Sequence, residues 1–307
     1  MTHGRAFLDF RERWPGDFTQ CVDGNPAARS TRGDPYLPGE SVDEWGCTFV
    51  NLVPGVHGEV KNPLVGDYAD LERISPPVEL LEVDPAAANA FCGQEGRFVL
   101  GSGWARPFER MQFLRGTENL MLDIADREDG FFELLRIVHQ FNCDQMEVWA
   151  RLDVVALMVM DDWGSQRSLL ISPVTWREIF KPLYAEYARI AHDNGKKLFM
   201  HSDGYILDIL EDLIEVGVDA LNSQLFCMGI PDVATRAAGK ITFWGEIDRQ
   251  HLLPFGSVTE VEAGVAEIVQ HLHRPEGGVI AQFEFAGDTR PENAEAVYRA
   301  WEGMTTS

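Results

Sequence analysis

The chain is poor in basic residues: 26 lysines and arginines stand against 49 aspartates and glutamates, so its formal net charge is −23 over 307 residues. A surface this acidic repels the phosphates of nucleic acids and anionic lipid headgroups. We therefore expect no nucleic-acid partner and no electrostatic docking on a membrane. The same charge disfavours a substrate that carries many carboxylates.

Cysteine is also scarce, and its five copies lack the spacing of a disulfide framework. They are odd in number, far apart and without a C-x-x-C pair: Cys21, Cys47, Cys92, Cys143 and Cys227. Such usage is typical of free thiols in a reducing compartment. The longest apolar run, Val154–Met160, is far shorter than the roughly 20 residues that span a bilayer, and the charged N-terminal stretch does not resemble a signal peptide. We expect a cytoplasmic protein.

No glycine-rich phosphate loop follows any predicted strand, so a dinucleotide-binding fold has no support. From about Gly96, short apolar runs alternate with helical stretches, which is typical of βα units and a parallel sheet. Strands predicted near 198–200, 219–221 and 241–244 begin about 22 residues apart, the length of one compact βα unit. The pattern predicts an α/β fold, a (β/α)₈ TIM barrel.

The N-terminal third has a different texture, with many prolines and glycines and no long helical period. Gly46–Val53 and Gly58–Val60 flank Pro54-Gly55 and predict a β-hairpin. We therefore expect an irregular, hairpin-containing extension over residues 1–95, packed on a barrel core over residues 96–307, as one structural domain overall.

The clearest helix signal begins at Ser172. Serine is a favourable N-cap, and Pro173 suits the first helical position. Apolar residues then recur at helical spacing until Asn194-Gly195, while Pro182 predicts a kink within the helix.

Polar residues follow the predicted strands, where the active site of a barrel lies. They are Gly101–Trp104 after 98–100, Asp161-Asp162 after 154–160, His201–Asp203 after 198–200, Asn222–Gln224 after 220–221, Gly245–Asp248 after 241–244 and Glu284 after 279–283. Each acid alone fits a helix cap, and a single histidine is commonly a core residue. Their convergence on several strand ends favours an active site.

This convergence leads to specific role predictions. The catalytic residues are predicted to be Asp162, His201, Asp203 and Glu246. The substrate-binding residues are predicted to be Trp104, Arg106, Trp163, Gln166, Asn222 and Gln224. His201 and Asp203 share one loop, which favours a metal or proton-transfer role, and Glu284 would be expensive to bury without a partner.

Several motifs together resemble the uroporphyrinogen decarboxylase superfamily. They are DDWGSQRSLLISP (Asp161–Pro173), KKLFMHSDG (Lys196–Gly204), EVGVDALNSQ (Glu215–Gln224), ITFWGEID (Ile241–Asp248) and DTRPEN (Asp288–Asn293), with VDEWGC (Val42–Cys47) and FERMQFLRGTENL (Phe108–Leu120) upstream. The resemblance spans nearly the whole chain and implies a (β/α)₈ barrel. Members of this superfamily include the decarboxylase of haem synthesis and corrinoid-dependent methyltransferases.

Two departures bear on the activity that the resemblance implies. The haem-pathway decarboxylase has an arginine-rich N-terminal segment that Arg11–Trp14 does not reproduce. The methyltransferases hold zinc through a His-x-Cys pair and a distant cysteine. Here His201 matches the histidine, Asp203 stands at the first cysteine, and the second cysteine falls near Phe283-Glu284. By this resemblance the predicted metal ligands are His201, Asp203 and Glu284, a harder set without thiolates.

The sequence thus favours a corrinoid-dependent methyltransferase that demethylates a small methoxylated compound (an O-demethylase) or a methylamine. The methyl group would pass to the corrinoid of a separate protein, and a homodimer is possible. The alternative is a cofactor-independent decarboxylase (carboxy-lyase) of a small aromatic or pyrrolic acid. A third alternative is a binding barrel without catalysis.

Overall fold

The computed structural model of the chain describes residues 4–305. Its strands are β1 (Phe18–Gln20), β2 (Gly39–Val42), β3 (Thr48–Asn51), β4 (Glu59–Val60), β5 (Phe98–Ala105), β6 (Ala156–Met160), β7 (Lys197–Ser202), β8 (Ala220–Ser223), β9 (Thr242–Trp244) and β10 (Val279–Ile280).

The α-helices lie between and after these strands. They are α1 (Gly4–Arg13), α2 (Pro85–Gln94), α3 (Pro107–Arg115), α4 (Thr117–Asp126), α5 (Asp129–Ala150), α6 (Pro173–Ile179), α7 (Lys181–Asp193), α8 (Leu210–Val216), α9 (Leu225–Met228), α10 (Ile230–Ala237), α11 (Leu252–Phe255), α12 (Val258–Leu272) and α13 (Pro291–Thr305). Short 3₁₀ helices cover Tyr68–Arg73, Val78–Leu81 and Leu207–Ile209. Within residues 4–305, no helix is long and apolar enough to cross a membrane.

The chain divides into two compact units. The N-terminal unit comprises residues 18–161 with 189–196, and the C-terminal unit comprises 162–188 and 197–305 with 4–17. These limits differ from the predicted extension (1–95) and core (96–307), and that division stays a prediction.

In the N-terminal unit, β5 lies between β1 and β6, and both pairings are parallel. The 22-residue helix α5 packs against β5 and buries large side chains, among them Phe131, Leu134 and Trp149. A separate antiparallel sheet has the order β2-β3-β4, and its β3–β4 pair is the predicted hairpin, with Phe49 opposite Val60. The hairpin prediction is confirmed.

In the C-terminal unit, β7, β8, β9 and β10 pair in sequence order, and each pairing is parallel. Helices between these strands make the βα repeats that the sequence predicted. β7 and β8 are buried along almost their whole length, as expected for strands covered on both faces. The β10 strand is shorter than predicted: it ends at Ile280, so Glu284 comes after a short loop rather than directly after a strand.

The predicted helix after Ser172 is confirmed. The Ser172 hydroxyl accepts a hydrogen bond from the Thr175 backbone N–H at 3.0 Å, and Pro173 is the first helical residue. The helix is interrupted at Phe180, two residues before Pro182, because proline cannot donate a backbone hydrogen bond within a helix.

Asp161 stabilises the start of α3 within the N-terminal unit. Its carboxylate is completely buried and accepts hydrogen bonds from the backbone N–H groups of Phe108 (3.0 Å) and Glu109 (2.7 Å). Arg106, the residue before α3, provides no side-chain cap of its own. Asp161 therefore acts as the missing anionic cap, across 52 residues of sequence, rather than as a cap of the turn that follows it.

We predict that Asp161→Ala lowers the free energy of unfolding by about 2–3 kcal/mol, because two buried N–H groups lose a charged acceptor. Urea denaturation monitored by circular dichroism measures this change. Asp126→Ala is the control, since Asp126 is exposed at the end of α4, and its effect stays within about 0.5 kcal/mol. A loss below about 1 kcal/mol for Asp161→Ala would show that the cap is dispensable.

Candidate functional site

Two loops of the C-terminal unit, 162–165 and 202–205, run side by side and pair through their backbones. The Gly164 N–H donates to the Asp203 carbonyl at 3.1 Å, and the Tyr205 N–H donates to the Ser165 carbonyl at 2.8 Å. The carboxylate of Asp162 accepts a hydrogen bond from the Asp203 N–H at 2.9 Å. These bonds fix Asp162 and Asp203 beside each other.

Two glycines allow this close approach. A Cβ on Gly204, whose φ is +78°, would lie 2.1 Å from the Gly164 carbonyl oxygen, and a Cβ on Gly164 would lie 2.3 Å from the Tyr205 nitrogen. Both contacts are with backbone atoms that cannot rotate away. The loop pairing therefore requires glycine at both positions.

His201, near the end of β7, faces both carboxylates. Its Nε2 lies 3.5 Å from Oδ1 of Asp162 and 3.6 Å from Oδ1 of Asp203. One ligand atom from each of these three side chains lies within 4.8 Å of the others, which is the geometry of a possible metal site. Oδ1 of Asp203 is buried and has no hydrogen-bond partner in the described part of the chain.

Asn222 on β8 determines the orientation of the His201 ring. The two residues are register partners, and Nδ1 of His201 lies 2.5 Å from Oδ1 of Asn222, so Nδ1–H donates to the amide oxygen. The amide group of Asn222 is itself fixed, because its Nδ2 donates to the Trp244 carbonyl at 2.5 Å and to Oε1 of Gln282 at 3.2 Å. Because Nδ1 is bonded to Asn222, the other ring nitrogen, Nε2, faces the two carboxylates.

The carboxylates favour the charged form of His201. Burial alone would lower the pKa of this imidazole, but the hydrogen bond with Asp162 and the charge of Asp203 outweigh it and raise the pKa to about 9. Burial likewise acts to raise the pKa of Asp162, yet its bonds with His201 and the Asp203 N–H bring it below its usual value. In the absence of metal, the site is thus an imidazolium between two carboxylates.

Arg249, in the loop after β9, bridges the remaining acids. Its guanidinium forms ion pairs with Asp203 and with Glu284, and its Nε lies 3.9 Å from Oε2 of Glu246. One cation therefore lies within ion-pair distance of carboxylates from three segments of the chain.

Glu246 is the most deeply buried acid of the site, with 3% of its surface exposed. Burial raises the pKa of its carboxyl group, and the negative charge of Asp203 adds to this effect, against the opposing charge of Arg249. Its Oε2 has no hydrogen-bond partner among residues 4–305.

A pocket of about 100 Å³ opens beside these residues. It is lined by Gln166, residues 224–227 and residues 246–251. The side chain of Gln224 also accepts a hydrogen bond from the Gly204 N–H at 3.2 Å, which links the pocket to the paired loops.

The structure brings together most of the residues predicted for the site. Asp162, His201, Asp203 and Asn222 form the hydrogen-bonded cluster described above, and Glu246, Gln166 and Gln224 line the pocket.

Two of the predicted roles need correction. Trp163 has no exposed surface: its Nε1–H donates to the Tyr184 hydroxyl at 2.7 Å and its ring packs against Trp176 and Phe180, so it is a core residue and not a substrate contact. Glu284 does not join His201 and Asp203 as a ligand, because the Arg249 guanidinium takes its carboxylate. Asp162 occupies the third place in the cluster instead.

Trp104 and Arg106 belong to the N-terminal unit. There the Arg106 guanidinium lies over the Trp104 ring, 5.5 Å from its centroid, and pairs with Glu109 at 3.0 Å. Their role as substrate contacts stays a prediction.

Arg249 and Gln282 are the site residues that the sequence reasoning missed. A signal for Arg249 exists: an acidic ring at the strand ends needs a buried cation, and Arg249 directly follows the acid-rich segment Glu246–Asp248. Gln282 offers no such signal, because its contact with Asn222 depends on the path of the chain after β10.

Parallel βα repeats with polar residues at the strand ends are typical of α/β-barrel enzymes. Seven strands of the described residues run parallel to their neighbours, three in one unit and four in the other, against eight in a complete barrel. The chain belongs to the uroporphyrinogen decarboxylase (URO-D) family, whose model matches residues 43–304. The predicted fold class and family are confirmed.

Solved structures agree with this assignment. A methyltransferase from Methanosarcina mazei superposes with a TM-score of 0.66 at 18% sequence identity, over 85% of this chain and 76% of that protein. At this identity the likeness establishes the fold. No curated protein matches the chain.

We predict that the His201 imidazole of chelator-treated protein titrates near pH 9, in an NMR pH titration of the ring nitrogens. The folded pKa lies above the unfolded value of about 6.5, so the stabilisation, roughly 3 kcal/mol, is complete below pH 6.5 and is lost as the pH rises through 9. The stability advantage of wild type over His201→Gln should shrink across the same interval.

Asp162→Asn is the matched control for this titration, because it keeps the acceptor for the Asp203 N–H and removes only the charge. The His201 pKa should fall in this variant. A wild-type midpoint at or below 6.5 would contradict the charged cluster.

We predict that Gly204→Ala loses about 3–5 kcal/mol of stability, since its Cβ collides with the Gly164 backbone. Gly239→Ala is the control, because Gly239 has a similar φ of +77° with nothing within 4 Å of the added Cβ, and we expect a loss of about 1 kcal/mol. Thermal unfolding of both variants measures the difference. Equal losses would mean that the loop contact adds nothing.

Proposed function

We propose that this protein is a methyltransferase that removes a methyl group from a small methoxylated or methylamine donor and transfers it to a corrinoid held by a separate protein. The observation that carries the proposal is the Asp162–His201–Asp203 cluster beside the pocket. In this cluster, His201 and Asp203 form a His-x-Asp pair. The pair stands where the methyltransferases that the sequence resembles have their zinc-binding His-x-Cys pair. The similar fold of a methyltransferase from Methanosarcina mazei also supports a methyltransferase activity.

The residues fit a zinc ion. The cluster offers one imidazole nitrogen and two carboxylate oxygens, all accepted zinc ligands, and Oδ1 of Asp203 is a buried acceptor without a partner among residues 4–305. Asp162, His201 and Asp203 would hold the ion beside the pocket. When bound, zinc supplies Lewis acidity that polarises the oxygen or nitrogen of the methyl donor.

The protein's own residues supply the rest of the chemistry. Asn222 holds the tautomer that presents Nε2 of His201 to the ligand position. Arg249 restrains Asp203 from the opposite side, and Gln224 and Gln166 offer amide groups to a donor in the pocket.

A cofactor-independent decarboxylase of a small aromatic or pyrrolic acid is the second candidate. The observation that favours it is the charged His201, an acid placed to give a proton to the carbon that loses CO₂. Against it, Arg249 already pairs with Asp203 and Glu284, so the pocket offers no uncommitted cation for a carboxylate substrate.

Isothermal titration calorimetry of chelator-treated protein with zinc tests the proposal. We expect one zinc ion to bind and, from titrations in buffers of different ionisation enthalpy at pH 7.5, release of about one proton, because His201 must lose its proton to coordinate. His201→Gln should abolish binding, whereas His251→Gln, at an exposed histidine, should retain it.

The activity assay uses the zinc-loaded protein with methoxylated and methylamine donors. Demethylation that requires both zinc and an added corrinoid protein supports methyl transfer. Release of CO₂ from pyrrole-2-carboxylate by zinc-free protein would instead support the decarboxylase, and wild type that binds no zinc would contradict the metal site.

A further inference from the structure

The charges around the pocket bear on which ligand it binds. Arg249 is committed to Asp203 and Glu284. Asp248 is committed as well: its Oδ1 accepts hydrogen bonds from the backbone N–H groups of Gln250 (2.8 Å) and His251 (2.9 Å), and its Oδ2 lies 3.1 Å from Nδ1 of His251.

Glu246 differs from these lining residues. Its side chain is only 4% exposed, and its Oε2 has no hydrogen-bond partner among the residues that the structure describes. The nearest cationic atom, Nε of Arg249, is 3.9 Å away, beyond hydrogen-bond distance. A buried carboxyl oxygen without a hydrogen bond is unfavourable in free energy unless a ligand supplies a positive charge or a hydrogen-bond donor.

Part of the remaining lining is apolar. Leu225, Phe226 and Ile247 line the pocket together with the half-buried thiol of Cys227, next to uncharged polar residues that include Gln166 and Gln224. Burial is the main reason that the pKa of this thiol lies above its ordinary value, so the group is a neutral wall and not a nucleophile at neutral pH. A ligand that matches this pocket has apolar surface for Phe226 and its neighbours and positive charge for Glu246.

We propose that the pocket binds a small methylated ammonium ion, with Glu246 as its counter-ion. N-methyl groups contact the apolar part of the lining, which includes Phe226. The overall charge of −23 attracts such a cation and repels carboxylate and phosphate ligands. This inference rests on the proposed function in one respect: it selects the methylated amine over the methoxylated compound as the methyl donor.

The raised pKa of Glu246 agrees with this assignment. Burial and the charge of Asp203 raise that pKa, and the charges of Arg249 and His201 and a hydrogen bond with Asn222 do not fully compensate, so the carboxylate form lacks sufficient positive charge in the ligand-free protein. A bound cation supplies that charge.

The test is calorimetric titration of the full-length, chelator-treated protein with a matched pair of ligands. Choline carries a trimethylammonium group, and 3,3-dimethylbutan-1-ol is its neutral isostere. We expect one choline site and at least tenfold weaker binding of the isostere. Equal binding of the two ligands, or no choline binding, would overturn the inference.

Glu246→Gln removes the proposed counter-ion and should weaken choline binding at least tenfold. Glu262→Gln removes one negative charge from the exposed face of α12 and should leave the affinity within twofold of wild type. Similar losses in both variants would show that net charge and not the pocket attracts the ligand. If Glu246→Gln does not fold, the comparison of the two ligands on wild-type protein decides the question.

These outcomes separate the two proposals. Choline binding without zinc binding or methyl transfer leaves the cation pocket standing and refutes the proposed function. Zinc-dependent demethylation of methoxylated compounds, with no binding of choline, supports the proposed function and refutes the cation pocket.

Discussion

The site depends on the backbone pairing of loops 162–165 and 202–205. Because neither Gly164 nor Gly204 has a Cβ, the two backbones approach closely enough for N–H groups of one loop to reach carbonyls of the other. This pairing places Asp162 and Asp203 on either side of Nε2 of His201. A half-buried imidazole beside two carboxylates then becomes either a cation or a metal ligand, and the same geometry serves both states.

The surrounding residues balance the charge of this cluster. Asn222 fixes one nitrogen of His201 by a hydrogen bond, and Arg249 joins Asp203 to Glu284. Two carboxylate oxygens of this group, Oδ1 of Asp203 in the cluster and Oε2 of Glu246 at the pocket, have no hydrogen-bond partner within residues 4–305. The cluster of Asp162, His201 and Asp203 is suited to holding a metal, and the pocket at Glu246 is suited to holding a substrate.

Much of this arrangement could be predicted from the sequence because the polar residues directly follow apolar strands. The apolar residues before His201 and Asn222 indicate the strands that these two residues follow. Because the two strands are parallel neighbours, their ends lie together. Glu284 was misplaced because β10 ends early and a distant arginine captures the carboxylate. Trp163 was misplaced because adjacency in sequence to Asp162 does not reveal that its ring turns into the core. Side-chain direction and long-range ion pairs depend on tertiary packing, which local patterns do not encode.

X-ray absorption spectroscopy of the zinc-loaded protein tests the central claim most directly, since it reports the atoms bound to the metal. We predict a first shell of nitrogen and oxygen only, at about 2.0–2.2 Å, with the multiple-scattering signature of one imidazole. A sulfur shell near about 2.3 Å, or a first shell without an imidazole, would contradict a metal site built from Asp162, His201 and Asp203.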